Sequence, residues 1–114
     1  MVICFINLNK RYFTLELNKN ILKAYLLHEL GHCFSPKKMG SSAELCAQVW
    51  AIEKSKKMNM PVITKILENL VEEWVTMGWK HKKLRIYIRA GRAYNKIKNS
   101  KSEIKNLLKS CGKL

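Results

Sequence analysis

Apolar and polar positions change period along the chain, and each period predicts an element. Residues 2–7, VICFIN, form a short apolar, β-branched run that suits a buried strand. After the turn-forming stretch from Asn7 to Arg11, residues 12–17 alternate strictly. Phe13, Leu15 and Leu17 fall on one face and Tyr12, Thr14 and Glu16 on the other. This is the two-residue period of a half-buried strand, and the two runs together predict a hairpin. From there the period lengthens. Asn18 or Asn20 can cap a helix running through Ile21, Leu26 and Leu30 to about Cys33, where Ser35-Pro36 stops it. Ser41 opens a second helix that reaches about Lys57. Pro61 starts a third, in which Ile63, Ile66, Leu67, Leu70, Trp74 and Met77 make a core-facing stripe ending at Gly78-Trp79. Residues 84–97 read both ways. Leu84, Ile86 and Ile88 alternate like a strand, whereas Leu84, Ile88, Gly91 and Tyr94 to Ile97 suit a helix, the favoured reading. Ser102 can cap a last short helix before Cys111-Gly112 end in a loose tail.

These elements predict an α+β fold, with a small N-terminal β-hairpin or sheet packed on the first two helices and a helical C-terminal half. At 114 residues, 47% of them hydrophobic, the chain is expected to form one domain around one modest core. Within it, residues 1–40 hold the hairpin and first helix, 41–79 the second and the core helix, and 80–114 a basic helical tail. No run approaches the roughly eighteen apolar residues of a membrane span. The start lacks a basic leader and a small-residue cleavage site, so a cytoplasmic protein without membrane contact is expected. Cys4, Cys33, Cys46 and Cys111 contain no C-x-x-C pair, which argues against a zinc ribbon or a redox dithiol. Free, mostly buried thiols are expected, with a disulfide such as Cys33–Cys46 as the alternative.

Charge changes the picture in one region. The net charge is +14, and residues 80–114 hold 12 of the 22 Lys and Arg residues with Glu103 as their one acid. Residues 1–79 carry 10 basic and 7 acidic residues and are close to balance. Any polyanion partner therefore belongs to the C-terminal third, where Arg85, Arg89, Arg92 and Lys96 would share one helix face. A basic nucleic-acid or protein-binding module is one reading of that stripe; a solvated helix face explains the same charges and is favoured.

The chemistry concentrates in the first helix, at His28-Glu29-Leu30-Gly31-His32. Residues four apart lie one turn above each other, so His28 and His32 project from the same face and can hold one Zn²⁺ at about 2.0–2.1 Å each. Glu29, about 100° round the helix, can reach a metal-bound water without ligating the ion. Two histidines leave a catalytic zinc one protein ligand short. Glu44 follows a short turn directly after the motif helix and is the favoured third ligand. Its competing role is the acid of a capping box opened by Ser41, folding back on the helix start. Gly31 weakens a helix by about 1 kcal/mol relative to Ala, which suits a place where another backbone passes closely.

With His28, Glu29, His32 and Glu44 in place, the chain resembles the gluzincin metallopeptidases, in which H-E-x-x-H is followed on the next helix by a glutamate ligand. The size, the strand–turn–strand–motif-helix order and the step from His32 to Glu44 look most like the archaeal minigluzincins, over roughly residues 12–50. The metzincin pattern does not fit, because it would require Gly at Ser35 and His at Lys38. The resemblance implies a zinc-dependent endopeptidase with one Zn²⁺ per chain, bound by His28, His32 and Glu44, and with Glu29 as general base and acid. It implies a peptide or protein substrate and a tendency to latency, here through self-inhibition or self-association by the C-terminal segment. Where related enzymes place an acid to orient a ligand histidine, this chain has Gln48, whose amide can still accept a proton from the ring. His81, Tyr87 and Tyr94 are candidates by residue type for stabilising an oxyanion, although a surface or core role is favoured for each.

Overall fold

Helix boundaries in this chain are set by backbone punctuation. The computed structural model describes residues 19–35, 38–77 and 85–112. Five helices occur among them: α1 (Lys19–Phe34), α2 (Gly40–Lys57), α3 (Pro61–Met77), α4 (Arg85–Ile97) and α5 (Lys101–Cys111). Asn59 ends α2 by adopting a left-handed conformation, φ 54°. Its N–H then bonds the Lys56 carbonyl and that of Met60 bonds Ser55, which satisfies the last carbonyls of the helix. Pro61 follows at the first position of α3, where its missing N–H has no intrahelical partner to lose. α5 is capped by Ser100, whose hydroxyl accepts the Glu103 N–H at 3.3 Å; Ser102, the expected cap, lies inside the helix. Asn20 lies within α1, and Asn18, the other expected cap, lies outside the described residues.

The α+β expectation is corrected by this architecture. Among the described residues there are helices and no strand, and the fold is a helical bundle. The expected hairpin, residues 2–17, lies outside them. The physical reason is that, among the described residues, helix faces pack on one another to form the core. α2 runs through the middle and packs against α1, α3, α4 and α5. It contributes Val49, Ala51 and Ile52 to a buried cluster with Ala24 and Leu27 of α1, Ile63, Leu67 and Val71 of α3, Tyr94 of α4 and Ile104 of α5. Each large member contributes roughly 1.5–3 kcal/mol through burial. The segment with the mixed pattern is helix α4, because Ala90, Gly91 and Tyr94 bury at helical spacing.

The cysteines also correct an expectation. Cys46 on α2 is joined to Cys111 at the end of α5, with Cα atoms 5.8 Å apart, and Cys33 is disulfide-bonded as well. Neither free thiols nor a Cys33–Cys46 bridge is found among the described residues. Cys111 is therefore not part of a loose tail; it is 2% exposed and anchors α5 to the central helix. Closing a loop across 65 positions stabilises the fold by about 4 kcal/mol if the effect is taken as lost entropy of the unfolded chain.

Candidate metal centre

The site is made where α1 and α2 touch most closely. A Cβ built on Gly31 would fall on the carbonyl oxygen of Ala47 and 2.7 Å from its Cα. Any side chain there would push the helices apart, and Ala47, fully buried, is the smallest chiral partner. The close approach brings His28 and His32, one turn apart on α1, to the facing turn of α2 that carries Glu44. Glu44 takes no part in capping. α2 begins at Gly40 after Met39, with no side-chain cap, and the Glu44 oxygens turn to the histidines.

Three donor atoms converge. His28 Nε2 lies 2.9 Å from Glu44 Oε2, His32 Nε2 lies 3.2 Å from Glu44 Oε1, and the two Nε2 atoms are 3.1 Å apart. Imidazole nitrogens and carboxylate oxygens that face one another present lone pairs to the same point. Only a proton or a cation placed among them removes the conflict. The spacing suits zinc: ligands about 2.0–2.1 Å from a tetrahedral ion are about 3.3 Å from each other. The donor set, two histidines and one carboxylate, is also that of an open catalytic zinc site with one position left for water or substrate. Burial works against ionisation of Glu44. Hydrogen bonds and charge from both histidines outweigh it and hold its carboxyl at about 2. The hydrogen bond to Glu44 raises His32 above its ordinary value against the effect of burial, with the charges of Glu44 and Glu29 adding to the rise.

A second layer fixes the first. His28 Nδ1–H donates to Gln48 Oε1 at 2.7 Å, which leaves the Nε2 lone pair directed at the convergence point. Gln48 is held in turn, because its amide N–H donates to the Leu67 carbonyl at 2.6 Å. The Trp74 ring meets the His28 ring edge-on with centroids 5.7 Å apart, and Tyr87 packs on Trp74 at 5.0 Å. Expected to be one more residue of a core stripe, Trp74 proves to be a wall of the site; its position one helix turn beyond Leu70 carries no sign of that role.

A cavity of about 330 Å³ opens beside these residues, lined by His28, Glu29, Gln48, Glu73, Trp74 and Tyr87 among others. Glu29 thus faces the same space as His28, as its place on the helix predicts. Of the three residues considered for an oxyanion, Tyr87 lines the cavity. Tyr94 is buried in the core, with its hydroxyl pushed up to about 12 by burial and by the charges of Glu68 and Glu53, and His81 lies outside the described residues. No family model, curated protein or solved structure matches this chain.

Proposed function

We propose that the chain is a gluzincin-type zinc peptidase that hydrolyses peptide bonds in the cavity beside His28. The observation that supports this reading best is the convergence of His28, His32 and Glu44 within reach of a single ion, in a group where Glu29 faces the adjoining cavity. Bound there, zinc would supply a Lewis acid that polarises a peptide carbonyl and acidifies a water. Glu29 takes the proton from the attacking water and returns it to the leaving amine nitrogen. Gln48 holds the His28 ring in one tautomer, and the Trp74 ring gives that side of the cavity an apolar wall. The Tyr87 hydroxyl is the donor proposed for the carbonyl oxygen as it gains charge.

Latency through the last helix, α5, forms no part of the proposal. No residue of α5 lines the cavity. Cys46, which tethers α5, points about 160° round α2 from both Glu44 and Gln48. Nor do the disulfides favour a reducing cytoplasm, since such bonds persist in oxidising compartments or in the cytosol of hyperthermophiles. No described helix is long and apolar enough to cross a membrane.

Metal analysis and a casein assay on one set of variants test the reading. The wild type is expected to hold one zinc that a chelator removes, and to lose hydrolysis with it. Glu29→Ala should keep the zinc and lose turnover by about 10²–10⁴-fold, whereas Glu44→Ala should lose the metal. Full turnover in zinc-loaded Glu29→Ala would remove Glu29 from the mechanism.

A further inference from the structure

About 18 Å along α2 from Glu44, the helix ends in a different electrostatic setting. Lys56 and Lys57 at that end, Lys98 in the turn after α4, and Lys101 and Lys105 on α5 border a cavity of about 500 Å³, which Ile104 and Leu108 also line. All five lysines are exposed. The one carboxylate on the rim, Glu53, is already engaged by Lys56 at 3.6 Å. Among the described residues this is the only ion pair made by any lysine or arginine. Three chain segments thus bring like charges together, and among the described residues no carboxylate besides Glu53 lines the cavity or pairs with these lysines.

A second set of basic residues lies on the helix that precedes Lys98. α4, whose last turn leads into Lys98, has no acidic residue, and its Arg85, Arg89, Arg92 and Lys96 are exposed. Their spacing of three and four puts them on one face over about 16 Å. A small anion would satisfy the cavity and leave the stripe unused. A regularly charged chain satisfies both, with ammonium groups serving as point charges and guanidinium groups as forked donors to phosphate. We infer that the lysine cavity binds the phosphate backbone of a nucleic-acid strand and that the α4 stripe extends the contact. The contact reads no sequence, because phosphates carry none. It is independent of peptide hydrolysis, using no residue of the metal centre.

Fluorescence anisotropy of a labelled 20-nucleotide single strand, titrated with the full chain between 50 and 200 mM salt, tests this. The wild type should bind with an affinity that falls steeply with salt and varies little with base sequence. Replacing Lys98, Lys101 and Lys105 together by Gln should weaken binding by about tenfold or more at 100 mM salt. It should also reduce the slope of log K against log[salt] by about 2, since each single-strand phosphate contact accounts for roughly 0.7. The three Lys→Arg replacements should retain both affinity and slope, and Lys23→Gln, an exposed lysine on α1, should match the wild type. No binding at 50 mM salt, or a Gln triple variant with the slope of Lys23→Gln, would overturn the inference. So would displacement of the strand by polyglutamate at equal charge concentration, which would point to an acidic protein instead.

Discussion

Two polar clusters lie along α2, one buried and one partly buried, and only one of them closes on itself. Near the C-terminal end, Ser55 and Thr64 share a hydrogen bond of 2.6 Å, with the Ile52 carbonyl within reach of the Ser55 hydroxyl and the Met60 carbonyl within reach of the Thr64 hydroxyl. Each hydroxyl has one proton and ample acceptor capacity, so the shared proton satisfies one direction and a backbone carbonyl the other. Near the N-terminal end, His28 commits its N–H to Gln48, so a single proton on His32 Nε2 must serve three facing donor atoms, and the His28–Glu44 contact stays unsatisfied without a further proton or a cation. A closed cluster holds α2 to α3. An open one asks for something the chain does not supply, and that difference separates a structural contact from a site.

The strongest way to break the contrast is to take away the close helix approach that creates the open cluster. Gly31→Ala places a methyl group against the Ala47 backbone, which cannot yield as a flexible side chain would. Unfolding by urea should show a loss of about 3 kcal/mol, at the upper end for overpacking. Zinc binding should be lost with it, because α1 and α2 must separate. The Ser55–Thr64 pair, on the α2–α3 seam, should be spared. If Gly31→Ala bound zinc like the wild type, the close approach would not be what assembles the ligands.

How far the sequence alone reaches is decided by the range of each signal. Pro61, the apolar stripe of α3 and the step from His32 to Glu44 are local. They suffice to bound α3 and to single out His28, His32 and Glu44 as one candidate group. Gly31 is legible as a close approach, though nothing near it in sequence names Ala47 as the partner. The Cys46–Cys111 bridge spans the last three helices, and four cysteines allow three pairings that spacing cannot separate. The α+β class rested on the apolar run and the alternation within residues 2–17; a second, mixed pattern begins at Leu84, Ile86 and Ile88, where a helix is the favoured reading. In the second case tertiary packing decides. Gly91 lets α4 lie against Val71 and Val75 of α3, so the helical period prevails. Trp74 fails for a different reason: an indole in an apolar stripe reads as core whether it packs on leucine or on a ligand histidine.

A smaller effect is expected at Gln48, the residue that gives the open cluster its direction. Gln48→Leu keeps about the same volume, but it removes the acceptor for His28 Nδ1–H and the donor to the Leu67 carbonyl. Without the acceptor the His28 ring is free to choose either tautomer, and zinc affinity should fall by about 10–100-fold in a competition titration against a chelator dye. Gln48→Glu should hold the affinity or raise it, since a carboxylate accepts the same proton more strongly. An unchanged affinity in the leucine variant would mean that Trp74 packing alone orients the ring.

The smallest effect is expected where the cluster is closed. Thr64→Val removes one hydroxyl and keeps the shape, and Ser55 can still donate its proton to the Ile52 carbonyl at 2.7 Å. No donor is stranded, because the proton that Thr64 used is removed with its oxygen. What is lost is the one hydrogen bond that the Thr64 proton makes, so the cost should be about 1 kcal/mol by urea unfolding. Zinc affinity should not move at all, and that null result carries the comparison. α2 is a continuous helix between the two clusters, and a change that loosens it generally would lower both quantities together. Stability that falls by about 1 kcal/mol while zinc affinity stays fixed would show the two ends of α2 to be independent. A parallel loss of zinc would mean that the α2–α3 seam helps to hold Glu44 and Gln48 against α1.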